Sequence, residues 1–206
     1  AFGNKNLHGK TYAVQGLGKV GKKVAFRLLE EGADLYVCDL NEAAVEEVVA
    51  YGKQIGALVK PVNGTEIYRV NADVFVPCAF GGVINDETAA SLRVKAVVGS
   101  ANNQLVDKRH ARMLKERGIV YAPDYIVNAG GLIQVADELY GANKERVLAK
   151  TKAIYDTLLA IYTRAESEGI TTMDAADQFC EERLEKRKQR NHFFAHQKRP
   201  KWDIRR

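Results

Sequence analysis

The run Thr11-Tyr12-Ala13-Val14-Gln15-Gly16-Leu17-Gly18-Lys19-Val20-Gly21 joins a short, β-prone, largely apolar segment to a turn punctuated by three glycines. Residues 11–15 read as a buried parallel strand. The glycines then stand where the strand gives way to a helix. There Gly16 permits a tight turn, Gly18 lets backbone approach a pyrophosphate closely, and Gly21 lets the helix pack on the strand. Leu17, Lys19 and Val20 complete the loop. The helix start offers free N–H groups and the positive end of its dipole to phosphate. A glycine-rich turn that binds nothing has the same spelling, so the loop needs its context.

That context lies on either side. Val20, Val24, Phe26, Leu28 and Leu29 give the following helix an apolar face, and Gly32 stops it. A second apolar strand, 35–38, ends at Asp39, roughly twenty residues past Gly18. A carboxylate there can accept hydrogen bonds from ribose hydroxyls and repels a 2′-phosphate. No arginine directly follows Asp39, so the expected cofactor is NAD rather than NADP.

Further along, Asn41 can cap a helix over 42–51, and Val59 marks a weak third strand. Residues 66–70 read as a short helix, 74–76 as a strand ended by Pro77, and 85–92 as a helix. A strand over 96–98, a helix over 108–117 stopped by Gly118, and a strand over 119–121 follow. Strands alternating with helices predict an α/β fold, a doubly wound, mainly parallel sheet of Rossmann type followed by C-terminal helices. Those helices are expected over 133–140, 144–167 and, capped by Thr172, 172–188. Residues 144–167 place Val147, Ile154, Leu158, Ile161 and Ala165 near one face. The chain divides into a cofactor domain (1–140), helices packing on it (141–190) and a basic tail (191–206).

Two strand ends invite a functional reading. Pro77-Cys78-Ala79-Phe80-Gly81-Gly82 and Gly99-Ser100-Ala101-Asn102-Asn103 both follow apolar strands. In open α/β sheets ligands bind beyond the carboxyl ends of strands. Asn102 carries both a donor and an acceptor, which suits a carboxamide or a ribose. Ordinary turn chemistry explains the same glycines and asparagines equally well. Asn128, in the polar, glycine-bearing run 124–131, reads first as a helix N-cap.

Composition narrows the function classes. The 46% hydrophobic and 28% charged residues are those of an ordinary soluble globular chain. No apolar run is long enough to span a membrane, and the N-terminus has no secretory pattern. The chain starts at Ala1 without methionine, as a fragment or processed form would. Cys38, Cys78 and Cys180 are an odd, widely spaced set, which argues against disulfides or zinc and for a reducing cytoplasm. Among the histidines, His8 precedes the first strand, His110 falls on a charged helix and is expected to be solvated, and His192 and His196 lack further metal ligands. No metal site, Ser-His-Asp set or paired-carboxylate pattern emerges. The net charge of +5 comes from the C-terminus, where ten Lys/Arg residues lie between 183 and 206 against Glu185 and Asp203. With Phe193, Phe194 and Trp202 this tail can stack on nucleic acid, but without a nucleic-acid fold it reads better as an arm docking on protein.

The ordered series Val14 through Gly21, Pro77-Cys78-Ala79 with Gly81-Gly82, Gly99 through Leu105, Tyr121-Ala122-Pro123-Asp124-Tyr125 and Asn128-Ala129-Gly130-Gly131 resembles the glutamate/leucine/phenylalanine/valine dehydrogenases across nearly the whole chain. The resemblance implies reversible oxidative deamination of an L-amino acid to its 2-oxo acid and ammonia, with hydride passing to NAD. L-phenylalanine is the implied substrate and leucine or another branched-chain amino acid the alternative. It implies that Gly16, Leu17, Gly18, Lys19, Val20 and Gly21 cradle the pyrophosphate, and that Asp39 with Leu40 meets the adenine ribose. Cys78, Ala79, Ser100, Ala101 and Asn102 would line the nicotinamide side. Asn128 would face nicotinamide and substrate, and the helix from Lys144 would wall the side-chain pocket. Family members carry an N-terminal catalytic domain with two lysines, one for the substrate carboxylate and one as acid/base, and assemble as homo-oligomers. Proton transfer at the reacting carbon calls for a lysine of lowered pKa. No segment here matches that domain, and Lys19 is no substitute. The chain is therefore expected to bind NAD without catalysing, with no catalytic residue of its own. A non-catalytic NAD-binding module is the remaining reading.

Overall fold

The computed structural model describes residues 2–3 and 6–190. Six strands, β1 (Thr11–Gln15), β2 (Asp34–Cys38), β3 (Val59–Pro61), β4 (Val74–Pro77), β5 (Ala96–Val97) and β6 (Val120–Tyr121), form one sheet in the order β3-β2-β1-β4-β5-β6. Every pairing is parallel. The expected doubly wound sheet is present, and it is parallel throughout.

Strand alternation builds a core on each face. Tyr12, Val14, Leu35, Val37, Val74, Val76 and Ala96 face one way. They meet Ala25 and Leu29 of α1 (Gly21–Glu30) and Val48 of α2 (Glu42–Ile55). Ala13, Phe75 and Val97 face the other way. They meet Ile67 in a 3₁₀ turn (Glu66–Tyr68), Ala89 of α3 (Asp86–Ser91) and Leu114 of α4 (Arg109–Glu116). Right-handed crossovers require this division, because the chain winds one way from β1 to β3 and the other way from β4 to β6. The reversal falls between β1 and β4, so a crevice opens beyond their carboxyl ends.

Beyond the sheet come α5 (Asp124–Val127), α6 (Gly130–Glu138), α7 (Lys144–Glu168) and α8 (Thr172–Arg190). Ile161 and Ala165 of α7 pack with Ala175 and Ala176 of α8 in a small core of their own. The turn from α6 to α7 is fastened by buried Asp137, whose carboxylate accepts from the Arg146 guanidinium and from the Asn143 N–H at 2.9 Å. Asn143 in turn caps α7 by accepting from the Arg146 N–H. No described helix is long and apolar enough to cross a membrane.

Several local expectations are corrected. Val24, Phe26, Leu28 and Leu29 of α1 pack on the core as expected, with Gly21 and Ala25 buried beside them, but Val20 is exposed. Asn41 precedes α2 but makes no side-chain cap; Asp39 accepts the Asn41 N–H instead. Thr171, not Thr172, caps α8, its hydroxyl accepting from the Asp174 N–H at 3.1 Å. The Thr172 hydroxyl donates to the Tyr121 carbonyl at 2.7 Å and ties α8 to the sheet. His110 is buried rather than solvated: its Nδ1 accepts the Asp107 N–H, and its Nε2 lies 3.3 Å from Asp86 Oδ1. The charged neighbours that suggested exposure lie on the outer face of α4. The readings of 191–206, with His192, His196, Phe193, Phe194 and Trp202, lie outside the described residues.

Candidate active site

Gly16 opens the loop after β1 with φ +92°, and a Cβ there would stand 2.7 Å from the Ala79 backbone nitrogen. Its N–H donates to the Cys38 carbonyl at 2.8 Å. Gly21 lies tighter still: a Cβ would come 1.9 Å from the Gly16 carbonyl oxygen and 3.0 Å from Cys78 Cβ. These two glycines therefore seat α1 against the ends of β1 and β4. Gly18 differs, because a Cβ there meets nothing within 4 Å and the residue faces the crevice mouth with Lys19 and Val20. The N–H groups of Lys19, Val20 and Gly21 donate to no described residue, and the first bond of the helix runs from the Lys22 N–H to the Gly18 carbonyl. Three free donors at a helix N-terminus beside an open backbone form a concentrated site for anionic oxygen.

Asp39 closes the loop from the neighbouring strand. Its Oδ2 accepts the Leu17 N–H at 2.5 Å and its Oδ1 the Asn41 N–H at 2.8 Å. Each carboxylate oxygen has a second lone pair, so acceptor capacity remains for a diol. Leu40, next along, is 94% exposed.

The ends of β4 and β5 close against each other. The Cys78 N–H donates to Gln15, the Ala101 N–H donates to Pro77 at 3.0 Å, and a Cβ on Gly99 would stand 2.1 Å from the Pro77 carbonyl. Ala79 and Asn102 are exposed at this rim, Cys78 and Ser100 are half-buried, and Ala101 is buried. Asn128 is not an N-cap. It ends α5, and α6 begins after Ala129 with no side-chain cap. Its Nδ2 instead donates to Asn102 Oδ1 at 2.6 Å and to the Ser100 carbonyl at 3.3 Å. The structure thus brings Ser100, Asn102 and Asn128 together across 26 residues of sequence.

Sequence reasoning passed over Asp124, which is buried and accepts from the Tyr121 hydroxyl at 3.1 Å and from the Asn103 N–H at 2.7 Å. A proline before the residue and a tyrosine three before it were the signal available. Burial, with the Asp124 charge second, raises the Tyr121 phenol far above its ordinary range, so it keeps the proton it donates to Asp124. Burial likewise pushes the Cys38 thiol up to about 11, which makes it packing rather than a nucleophile. Among the described residues no cluster of His, Cys, Asp and Glu could hold a metal ion.

The family model described as Glutamate/Leucine/Phenylalanine/Valine dehydrogenase matches residues 1–191. The chain belongs to this family. It is 58% identical over 205 residues to a phenylalanine dehydrogenase of Bacillus thermotolerans, covering 100% of this chain and 54% of that protein. It is 48% identical over 199 residues to a leucine dehydrogenase of Thermoactinomyces intermedius, covering 96% and 53%. The crystal structure of L-tryptophan dehydrogenase from Nostoc punctiforme superposes with a TM-score of 0.83 at 43% identity, covering 90% of this chain and 54% of that one. The chain thus spans about half the length of the glutamate/leucine/phenylalanine/valine dehydrogenases it matches.

Proposed function

We propose that the chain is the dinucleotide-binding part of an NAD-dependent L-amino-acid dehydrogenase that interconverts L-phenylalanine with phenylpyruvate and ammonia. The observation that carries the reading is the Gly16–Gly21 loop, whose N–H groups at the start of α1 are free and which the Asp39 carboxylate closes. The residues present fit the cofactor: Gly18 leaves open space where a pyrophosphate would lie, and Asp39 retains lone pairs for a ribose.

NAD supplies the hydride acceptor when bound. This chain's part is to hold and orient it. The start of α1 faces the phosphates with N–H groups and positive dipole. Asp39 accepts from the adenine-ribose hydroxyls and repels a 2′-phosphate. The small residues Ala79, Ser100 and Ala101 let the nicotinamide ring lie against backbone, and Asn102 and Asn128 present amide groups to its edge. The proton-transferring lysines belong to the half of the relatives' length that this chain does not span. The leucine dehydrogenase match keeps a branched-chain substrate as the second reading, and turnover of L-phenylalanine against L-leucine by a full-length form separates the two.

The test is calorimetric titration with NADH and with NADPH. Saturable NADH binding, tighter than NADPH by on the order of tenfold, is the expected result. Binding of neither by a folded chain refutes the reading, and equal binding of both removes the role given to Asp39.

A further inference from the structure

We infer that Asp124 is a positioning residue for the nicotinamide side of the site, an inference that rests on the cofactor reading above. Asp124 stands at the first residue of α5, 8% exposed, and bonds Asn128 of the amide pair and Asn103, the neighbour of its other member Asn102. Its carboxylate accepts the Asn103 N–H at 2.7 Å, which fixes the residue next to Asn102. Its backbone carbonyl accepts the Asn128 N–H at 2.9 Å.

The hold on Asn103 matters because of its backbone. Asn103, φ +51°, is the one left-handed non-glycine among the described residues. Asparagine enters that region more readily than other side chains, and here surrounding bonds hold it there. Two bonds do so: the N–H to Asp124, and the carbonyl, which accepts the Gly82 N–H at 2.7 Å. On the other side Gly81 crowds the loop, since a Cβ there would stand 2.6 Å from the Asn102 carbonyl. Asn102 is therefore aimed from both flanks.

The outcome is a defined pattern at the rim. Both hydrogens of Asn128 Nδ2 are used, on Asn102 Oδ1 and the Ser100 carbonyl. That leaves the Asn128 Oδ1 acceptor and the Asn102 Nδ2 donor with no hydrogen-bond partner among the described residues. A primary carboxamide, the substituent on nicotinamide, carries the complementary donor and acceptor. The Asp124 carboxylate accepts from both side-chain partners, the Tyr121 O–H and the Asn103 N–H. An amide there keeps one acceptor oxygen, and its NH₂ group is satisfied only where the Tyr121 hydroxyl turns to accept.

The experiment compares NADH with ADP-ribose, which lacks the nicotinamide, in the unaltered chain and in D124A, D124N and D124A/N103G. D124A should bind NADH about tenfold more weakly and ADP-ribose within about twofold of the unaltered chain. D124N, which keeps the volume and one acceptor, should lose about threefold for NADH and serves should D124A not fold. Glycine adopts the left-handed backbone freely, so D124A/N103G should recover part of the NADH loss while ADP-ribose affinity stays within about twofold. Equal loss of both ligands, or no loss of NADH, overturns the inference while leaving the cofactor reading in place. Failure of the unaltered chain to bind ADP-ribose overturns the cofactor reading and this inference with it.

Discussion

The sheet body and the α7–α8 hairpin are held together differently. On the sheet, large side chains such as Phe75, Leu92 and Leu114 are fully enclosed on one face and Val14, Leu35 and Val37 on the other. Each such burial contributes about 1.5–3 kcal/mol. The hairpin encloses Ile161 and three alanines, and relies on the Arg164–Glu182 ion pair, the Thr171–Asp174 cap and the Asp137–Arg146 fastening. Alanines bury little area, and exposed ion pairs contribute about 0–1 kcal/mol each. Beside it, α6 turns Leu132, Val135 and Leu139 outward at 73%, 61% and 83% exposure. The contrast teaches that the Gly16–Gly21 side of the candidate site stands on large, fully enclosed side chains, whereas Asn128 stands beside a unit that encloses fewer. Regions with few buried apolar contacts open first.

The largest effect should come from Phe75→Ala, which empties the centre of one sheet face: about 3–5 kcal/mol of global stability, read by urea unfolding followed by circular dichroism. Ile161→Ala should remove about 2–4 kcal/mol, but hydrogen exchange should place the loss in α7 and α8 while the strands keep their protection. Uniform loss of protection would break the contrast between the two regions. Acid should act on the same weaker unit. The Arg146 guanidinium hydrogen-bonded to Asp137 holds its carboxyl below the ordinary range, against the opposing pull of desolvation. A depressed folded-state pKa gives stability that is present above the unfolded value and lost as pH falls through the folded one. Exchange across the α6–α7 turn should therefore quicken below about pH 4, before the strands respond. Asp137→Asn should remove that pH dependence. The smallest effect belongs to Leu132→Ser, which should change stability by no more than about 0.5 kcal/mol.

The sheet was legible because its signals are local. A strand, three glycines, a helix and an acid lie within residues 11–39, and each apolar run of a parallel strand is short and uninterrupted. The rim was harder to read because its contacts join distant residues. Asn128 resembles a cap until α5 is seen to end on it and its amide is seen to reach Asn102. Asp124 looks like loop polarity until Tyr121 and Asn103 converge on it. His110 misled for a related reason: its neighbours Arg109 and Arg112 are exposed, but His110 faces inward with Ala111 and Leu114 and meets Asp107 and Asp86. Thr172 lost its cap to Thr171 because its hydroxyl is drawn to the Tyr121 carbonyl, a partner 51 residues away.

The bond from the Leu17 N–H to Asp39 bears on how cofactor choice can be re-engineered. The carboxylate that would discriminate against the extra phosphate also latches the loop proposed to grip the pyrophosphate. Selectivity and grip are therefore not independent dials. An alanine at position 39 admits the phosphorylated cofactor to a loosened cradle, whereas Asp39→Asn discards the charge and keeps an oxygen for Leu17. A route toward the other dinucleotide through asparagine preserves a working grip at each step, and a route through alanine does not.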